Sequence, residues 1–236
     1  ESLRQLLPGL EFSEDQIIYR YSGIRPLPNS ASDVPGLISR DHSTPLLDMN
    51  PERPFPVLSL VGGKWTTFRA FAEQVADRVL DTLNRPRIRQ TRALPIGGGH
   101  DYPADPTARD AWVDALARQT HLSRARLETL LARYGTRAAA IAAHEAAAAT
   151  TAIAGAPDHT AAELDWLARN EQVEHLEDLV MRRTLLAITG QLTWEGLHQI
   201  AGVTARALDW DAARTEAELE RVLERLAVSH GVRIAA

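Results

Sequence analysis

Val57-Leu58-Ser59-Leu60-Val61-Gly62-Gly63-Lys64-Trp65-Thr66-Thr67-Phe68-Arg69 is an apolar run that passes through two glycines and a lysine into a stretch of helical period. Val57 to Val61 reads as a strand. Phe68, Phe71, Ala72, Val75, Val79 and Leu83 then recur every three to four residues, which predicts an amphipathic helix with Thr66 or Thr67 as N-cap. Glycine lets backbone approach a ligand closely, and the first amides of a helix carry partial positive charge. The turn is therefore suited to an anion or a cofactor, with Lys64 adding a full charge. Taken alone, the stretch also reads as an ordinary strand-to-helix turn with a solvated lysine. It is not a P-loop, because the spacing from glycine to Gly-Lys is too short and Trp65 stands where Ser or Thr is needed.

The chain has 236 residues, 44% of them hydrophobic, and a formal charge of −5, which argues against a nucleic-acid binder with its basic stripe or patch. Without cysteine there are no disulfides, thiolate nucleophiles or iron–sulfur ligands. The opening residues lack the basic and apolar regions of a secretory signal. The weakly polar run from Ala138 to Ala156 contains His144 and Glu145 and falls short of a membrane span.

Outward from the glycine turn, Gln16 to Ser22 and Gly36 to His42 have the β-branched and aromatic character of short strands, with prolines between them. Periodicity breaks between Arg92 and Asp105, where Leu94-Pro95-Ile96-Gly97-Gly98-Gly99 is followed by Pro103 and Pro106. Beyond it, helices are predicted over Pro106 to Arg118, Ser123 to Arg133, Arg137 to Thr151, Ala161 to Arg169, Leu176 to Thr189, Thr193 to Leu208 and Asp211 to His230. Ser123 and Thr193 are the expected N-caps of two of them. The fold expected is α+β overall. Residues 1–92 supply a few strands and one crossover helix, and residues 93–236 an all-helical C-terminal domain. A strand feeding a crossover helix belongs in a parallel sheet with several partners, and too few are present. Gly-x-Gly-x-x-Gly is also missing, so the chain is expected to be the C-terminal portion of a longer protein.

Arg25, Arg40 and Lys64 each follow a strand-like run, and together they could hold a phosphate; singly, each could be solvated or paired with Asp33, Asp41 or Asp48. In order, Tyr21-Ser22-Gly23-Ile24-Arg25-Pro26-Leu27, Ser39-Arg40-Asp41-His42, and Leu60-Val61-Gly62-Gly63-Lys64-Trp65-Thr66-Thr67-Phe68-Arg69 resemble the FAD-dependent glycerol-3-phosphate dehydrogenases. The resemblance continues through the Leu94-Pro95 glycine turn, Tyr134-Gly135, Glu163-Leu164, Glu171 and Asp178-x-x-x-Arg182-Arg183-Thr184, and so covers nearly the whole chain.

What the resemblance implies is a flavoprotein that oxidises sn-glycerol 3-phosphate to dihydroxyacetone phosphate, with residues 1–92 completing a flavin and substrate domain. The reduced FAD would pass its electrons to a membrane quinone. Gly62, Gly63, Lys64, Trp65, Thr66 and Thr67 would lie against the flavin. Arg25 would hydrogen-bond the substrate's C2 oxygen as the catalytic residue, and Arg25, Arg40 and Lys64 would form the substrate-binding set. The general base is expected upstream of Glu1, in the N-terminal FAD-binding portion of the parent chain. Cytoplasmic location with peripheral contact at the inner face of the cell membrane, and assembly into a homo-oligomer, go with the same resemblance. Asp178 and Arg182 read physically as a helical i,i+4 ion pair bracing the helical domain, and Glu171 is read likewise as structural. Trp65 replaces the aliphatic residue usual in the family.

No metal site is expected, because none of the eight histidines has a partner at ligand spacing, and His144-Glu145 lacks the second histidine of His-Glu-x-x-His. His42 alone falls near the proposed site, in a turn or hydrogen-bonding role. Two other readings stand beside the dehydrogenase: a non-catalytic helical interaction module, and an oxygen-using glycerophosphate oxidase.

Overall fold

The computed structural model describes residues 5–24, 41–62 and 64–235. They divide into two compact units: Ser22–Pro95, and Ile96–Ala236 joined by the chain's first residues up to Tyr21. Most of the described residues are helical, with two small two-stranded sheets among them.

In the unit Ser22–Pro95, β1 (Leu46–Leu47) and β2 (Val57–Leu58) form an antiparallel hairpin in which Leu46 faces Leu58 and Leu47 faces Val57. An isolated bridge pairs Ser43 with Val61. Among the described residues the run Val57 to Val61 thus pairs only antiparallel with the segment just before it, as a short connection permits, and no parallel partner strand is seen there. After a 3₁₀ turn over Trp65–Thr67, α1 spans Phe68–Thr82 as its periodicity predicts. No residue of α1 is buried, and Leu47, Leu60, Phe68 and Leu83 are all more than half exposed. Polar links hold the unit instead. Glu73 accepts from the Thr91 amide (2.6 Å) and hydroxyl (2.8 Å) and pairs with Arg69 and Arg87. The Thr91 backbone bond first, then its hydroxyl, bring the Glu73 carboxyl down to about 2.

In the other unit, Gln16 to Ser22 is not a strand. A 3₁₀ turn occupies Glu14–Gln16, and the following backbone is tied by a bond from the Arg20 amide to the His230 carbonyl (3.0 Å). The helices are α2 (Pro106–Thr120), α3 (Arg124–Tyr134), α4 (Ala138–Ala147), α5 (Ala161–Asn170), α6 (Leu176–Asp178), α7 (Trp194–Leu208) and α8 (Ala212–His230). Ser123 and Thr193 cap α3 and α7 as expected, accepting from the amides of Arg126 and Gly196. Two departures mark the limits of periodicity. The alanine-rich helix stops at Ala147, and a hairpin of β3 (Ala152–Ile153) and β4 (Ala156–Thr160) follows, so this unit is not all-helical. The helix expected over Leu176 to Thr189 passes from α6 into a π turn, Leu179–Arg183, and ends there.

Two apolar cores result. Leu164, Leu167, Leu179, Leu197, Ile200 and Leu226 join α5, the π turn, α7 and α8, while Val113, Leu127, Leu130 and Ile141 join α2, α3 and α4. Tyr134 and Trp166 pack against both.

Candidate functional site

Lys64 sits at the mouth of the Trp65–Thr67 turn in extended backbone (φ −129°, ψ 127°). Its Nζ donates to Asp41 Oδ1 at 2.8 Å, with both side chains substantially exposed. Neither Thr66 nor Thr67 acts as a side-chain cap. Thr67 Oγ1 donates to the Lys64 carbonyl instead (3.1 Å), so among the described residues no side chain closes the leading amides of α1. Trp65 is 84% exposed. Gly62 is not at positive φ, and a Cβ built on it would meet only the Phe71 ring, at an ordinary 3.8 Å. Packing within the described residues therefore does not account for glycine at 62. Behind the turn, His42 Nε2 hydrogen-bonds Gln74 Oε1 (2.8 Å) and its ring lies on Phe71. Arg25, Arg40 and Gly63 lie outside the described residues, as do residues 36–40 of the strand expected over Gly36 to His42.

The structure reveals a polar centre in the helical unit that the sequence did not announce. Glu163, wholly buried on α5, accepts from Arg126 (2.8 Å), Arg133 (3.2 Å) and the Tyr134 hydroxyl, with His159 Nδ1 at 3.4 Å. Arg126 also pairs with buried Glu145 at 2.8 Å. Burial by itself would raise the Glu163 carboxyl; the His159 hydrogen bond and charge, with the bonds from Tyr134 and Arg126, outweigh it and hold the group at about 2. Burial and the Glu163 carboxylate push the Tyr134 phenol far above its ordinary range, so it remains a donor. The one local signal was Thr160-x-x-Glu163, which has capping-box spacing. Thr160 does cap α5, through the Glu163 amide (3.2 Å), but the carboxylate turns inward to the arginines.

Beside this centre the glycine turn Gly97–Gly99 lies against Tyr134-Gly135. A Cβ on Gly98 would fall 1.9 Å from the Tyr134 carbonyl oxygen, and Gly135 adopts φ 58°, ψ −144°, open only to glycine. Thr136 Oγ1 latches the turn by donating to the carbonyls of Gly98 (3.0 Å) and His100 (2.7 Å). The turn walls an open groove of about 530 Å³ into which Arg133, Arg137, Arg182 and Arg183 face, beside Trp166 and Glu171.

A family model for the C-terminal domain of alpha-glycerophosphate oxidase matches residues 89–215, more than half of the chain. The chain belongs to that family. It is 27% identical over 225 residues to the glycerol-3-phosphate dehydrogenase of Synechocystis sp., covering 93% of this chain and 39% of that protein. Identity to the aerobic glycerol-3-phosphate dehydrogenase of Escherichia coli K12 is 29%, over 74% of this chain and 34% of that protein. For glycerol-3-phosphate dehydrogenase 1 of Mycobacterium tuberculosis H37Rv the figures are 32%, 76% and 32%. The chain thus spans about a third to two-fifths of the length of these relatives. Asp178 and Arg182 form the i,i+4 ion pair read from their spacing. Arg182 also reaches buried Glu177 (3.0 Å), and Glu171 pairs with Arg137 (3.2 Å). No helix among the described residues is long and apolar enough to cross a membrane.

Proposed function

We propose that the chain is the C-terminal part of a flavoenzyme that oxidises sn-glycerol 3-phosphate to dihydroxyacetone phosphate, its Gly62–Thr67 turn closing the flavin site. The observation that carries this reading is Gly62, whose missing side chain is unexplained by packing, set before helix amides that no side chain caps. That combination fits a flat anionic group approaching the backbone closely. Family membership and the names of the relatives support the same substrate.

Gly62, Gly63, Trp65, Thr66 and Thr67 would hold the edge of FAD on which negative charge accumulates, stabilised by the helix amides. When bound, FAD supplies the acceptor for the hydride leaving C2. Lys64, with Arg40, holds the substrate phosphate. Lys64 exchanges Asp41 for that dianion at small cost, because an exposed ion pair is worth only ~0–1 kcal/mol. Arg25 donates to the C2 oxygen and favours the charge that grows there as the hydride departs. The hydroxyl proton passes to a base in the portion preceding Glu1. Quinone is the proposed acceptor, reached from the cytoplasmic face of the membrane by peripheral contact.

The exposed apolar side chains of β1 and α1 also fit a unit completed by further chain, which favours this reading over a self-sufficient helical module. The test uses the full-length parent. Flavin absorbance, glycerol 3-phosphate oxidation with a dye acceptor and little peroxide under air are expected. Lys64→Met should raise KM by ~10-fold or more, the cost of losing a charge-assisted contact to phosphate, with a smaller change in kcat. Arg25→Ala should lower kcat. A colourless parent, or undiminished turnover in Arg25→Ala, would refute the assignment, and stoichiometric peroxide would replace quinone with oxygen.

A further inference from the structure

We propose that the groove bounded by the Gly97–Gly99 turn, α5 and the π turn binds a phosphate dianion presented by a phosphomonoester. The groove is built entirely from the helical unit, and the inference does not depend on the chemistry assigned to the Gly62–Thr67 turn.

Charge balance is the first argument. Arg126 and Arg133 are matched by Glu145 and Glu163. Arg137 and Arg183 have Glu171 alone between them: Arg137 reaches its carboxylate at 3.2 Å, and Arg183 donates Nε–H to its backbone carbonyl at 2.6 Å. Among the described residues no carboxylate pairs with Arg183. Arg182, Arg221 and Arg225 share Glu177, with Asp178 as the one further acid on Arg182. One guanidinium charge, left over from Arg137, Arg183 and Glu171, thus lies at the groove, while the surplus among Arg182, Arg221 and Arg225 falls to Arg221 and Arg225, which do not line it. A phosphomonoester near neutral pH carries about −1.5 to −2, enough to pair with Arg183 and to compete for the exposed ion pairs of Arg137 and Arg182, and offers oxygens to planar forks.

Local geometry supplies the second argument. Successive residues of a regular helix point about 100° apart, so the Cα–Cβ bonds of Arg182 and Arg183 would diverge on an α-helix. The π turn Leu179–Arg183 widens the backbone at that point, and both side chains line the same space. Arg137 is steadied over the Trp166 ring, its Cζ 5.2 Å from the centroid, which pre-orients the fork. The opposite wall is bare glycine backbone, and the groove's roughly 530 Å³ suits a small ligand.

The test is calorimetric titration of the full chain with inorganic phosphate and, separately, with chloride at matched ionic strength. Pelleting with vesicles of phosphatidylcholine, with and without phosphatidic acid, runs alongside. Saturable phosphate binding is expected, weakened ~10-fold or more in Arg183→Gln and in Arg137→Gln, consistent with loss of a charge-assisted bond. Helicity and melting temperature show whether Arg183→Gln keeps its fold. Arg137, with a side chain 45% exposed, carries the test if it does not. Binding that phosphatidic acid vesicles show and free phosphate competes away supports the site with a lipid headgroup as its source. Binding to free phosphate alone supports a soluble ester. Heats that follow ionic strength only, or an affinity that both substitutions leave unchanged, overturn the proposal.

Discussion

Glu163→Gln removes the charge at the centre of the helical unit while nearly preserving volume. A carboxyl held at about 2 instead of its ordinary 4.5 contributes about 3 kcal/mol to the folded state. The substitution also leaves Arg126 with Glu145 alone and, among the described residues, Arg133 with no carboxylate, and breaking a buried ion pair by removing one partner costs ~3–5 kcal/mol. The two figures describe the same interaction and are not added. At ~2–4 °C of melting temperature per kcal/mol for a chain of this size, the expected fall is ~6–20 °C, read from helical ellipticity on heating. The pH dependence gives an independent check. Because folding depresses the Glu163 pKa, its stabilisation is fully present above about 4.5 and is lost as pH falls toward about 2. The gap between wild type and variant should therefore narrow across that interval. A loss below ~1 kcal/mol at neutral pH, or a gap that does not change with acidification, would refute the assignment of Glu163 as the anchor.

Gly135→Ala should cost at least ~2 kcal/mol in denaturant unfolding, since its Cβ would fall 2.3 Å from the Gly98 carbonyl oxygen in a backbone region closed to alanine; a near-neutral result would show that the two turns separate easily. Gly62→Ala, by contrast, should leave the melting temperature of the chain unchanged or raise stability by ~0.4–1 kcal/mol through the unfolded state, while lowering flavin content in the full-length parent. A marked drop in melting temperature would mean that packing, and not a ligand, requires that glycine.

Helix α1 and the helices of the second unit were legible because their signals are local: an apolar residue every third or fourth position, a serine or threonine one step ahead, prolines and glycines between. The caps at Ser123 and Thr193 followed from the same short-range chemistry. Where a local rule had a non-local competitor, the reading failed. Gln16 to Ser22 has strand-like composition, but its Arg20 amide and carbonyl bond to His230 rather than to a neighbouring strand. His159, with Asp158 and Thr160 beside it in sequence, is nonetheless buried beside Glu163.

By itself the sequence determined the helical segments, the glycine turns and the family motifs, since each is encoded within a few consecutive residues. Tertiary structure alone decided which charges meet. Glu163 gathers Arg126, Arg133, Tyr134 and His159 from across α3 and β4, and the π turn brings Arg182 and Arg183 to one groove with Arg137. A charged side chain in sequence is compatible with solvent or with any opposite charge. Burial makes the pairing specific, because a guanidinium or carboxylate withdrawn from water must find its partner or lose several kcal/mol.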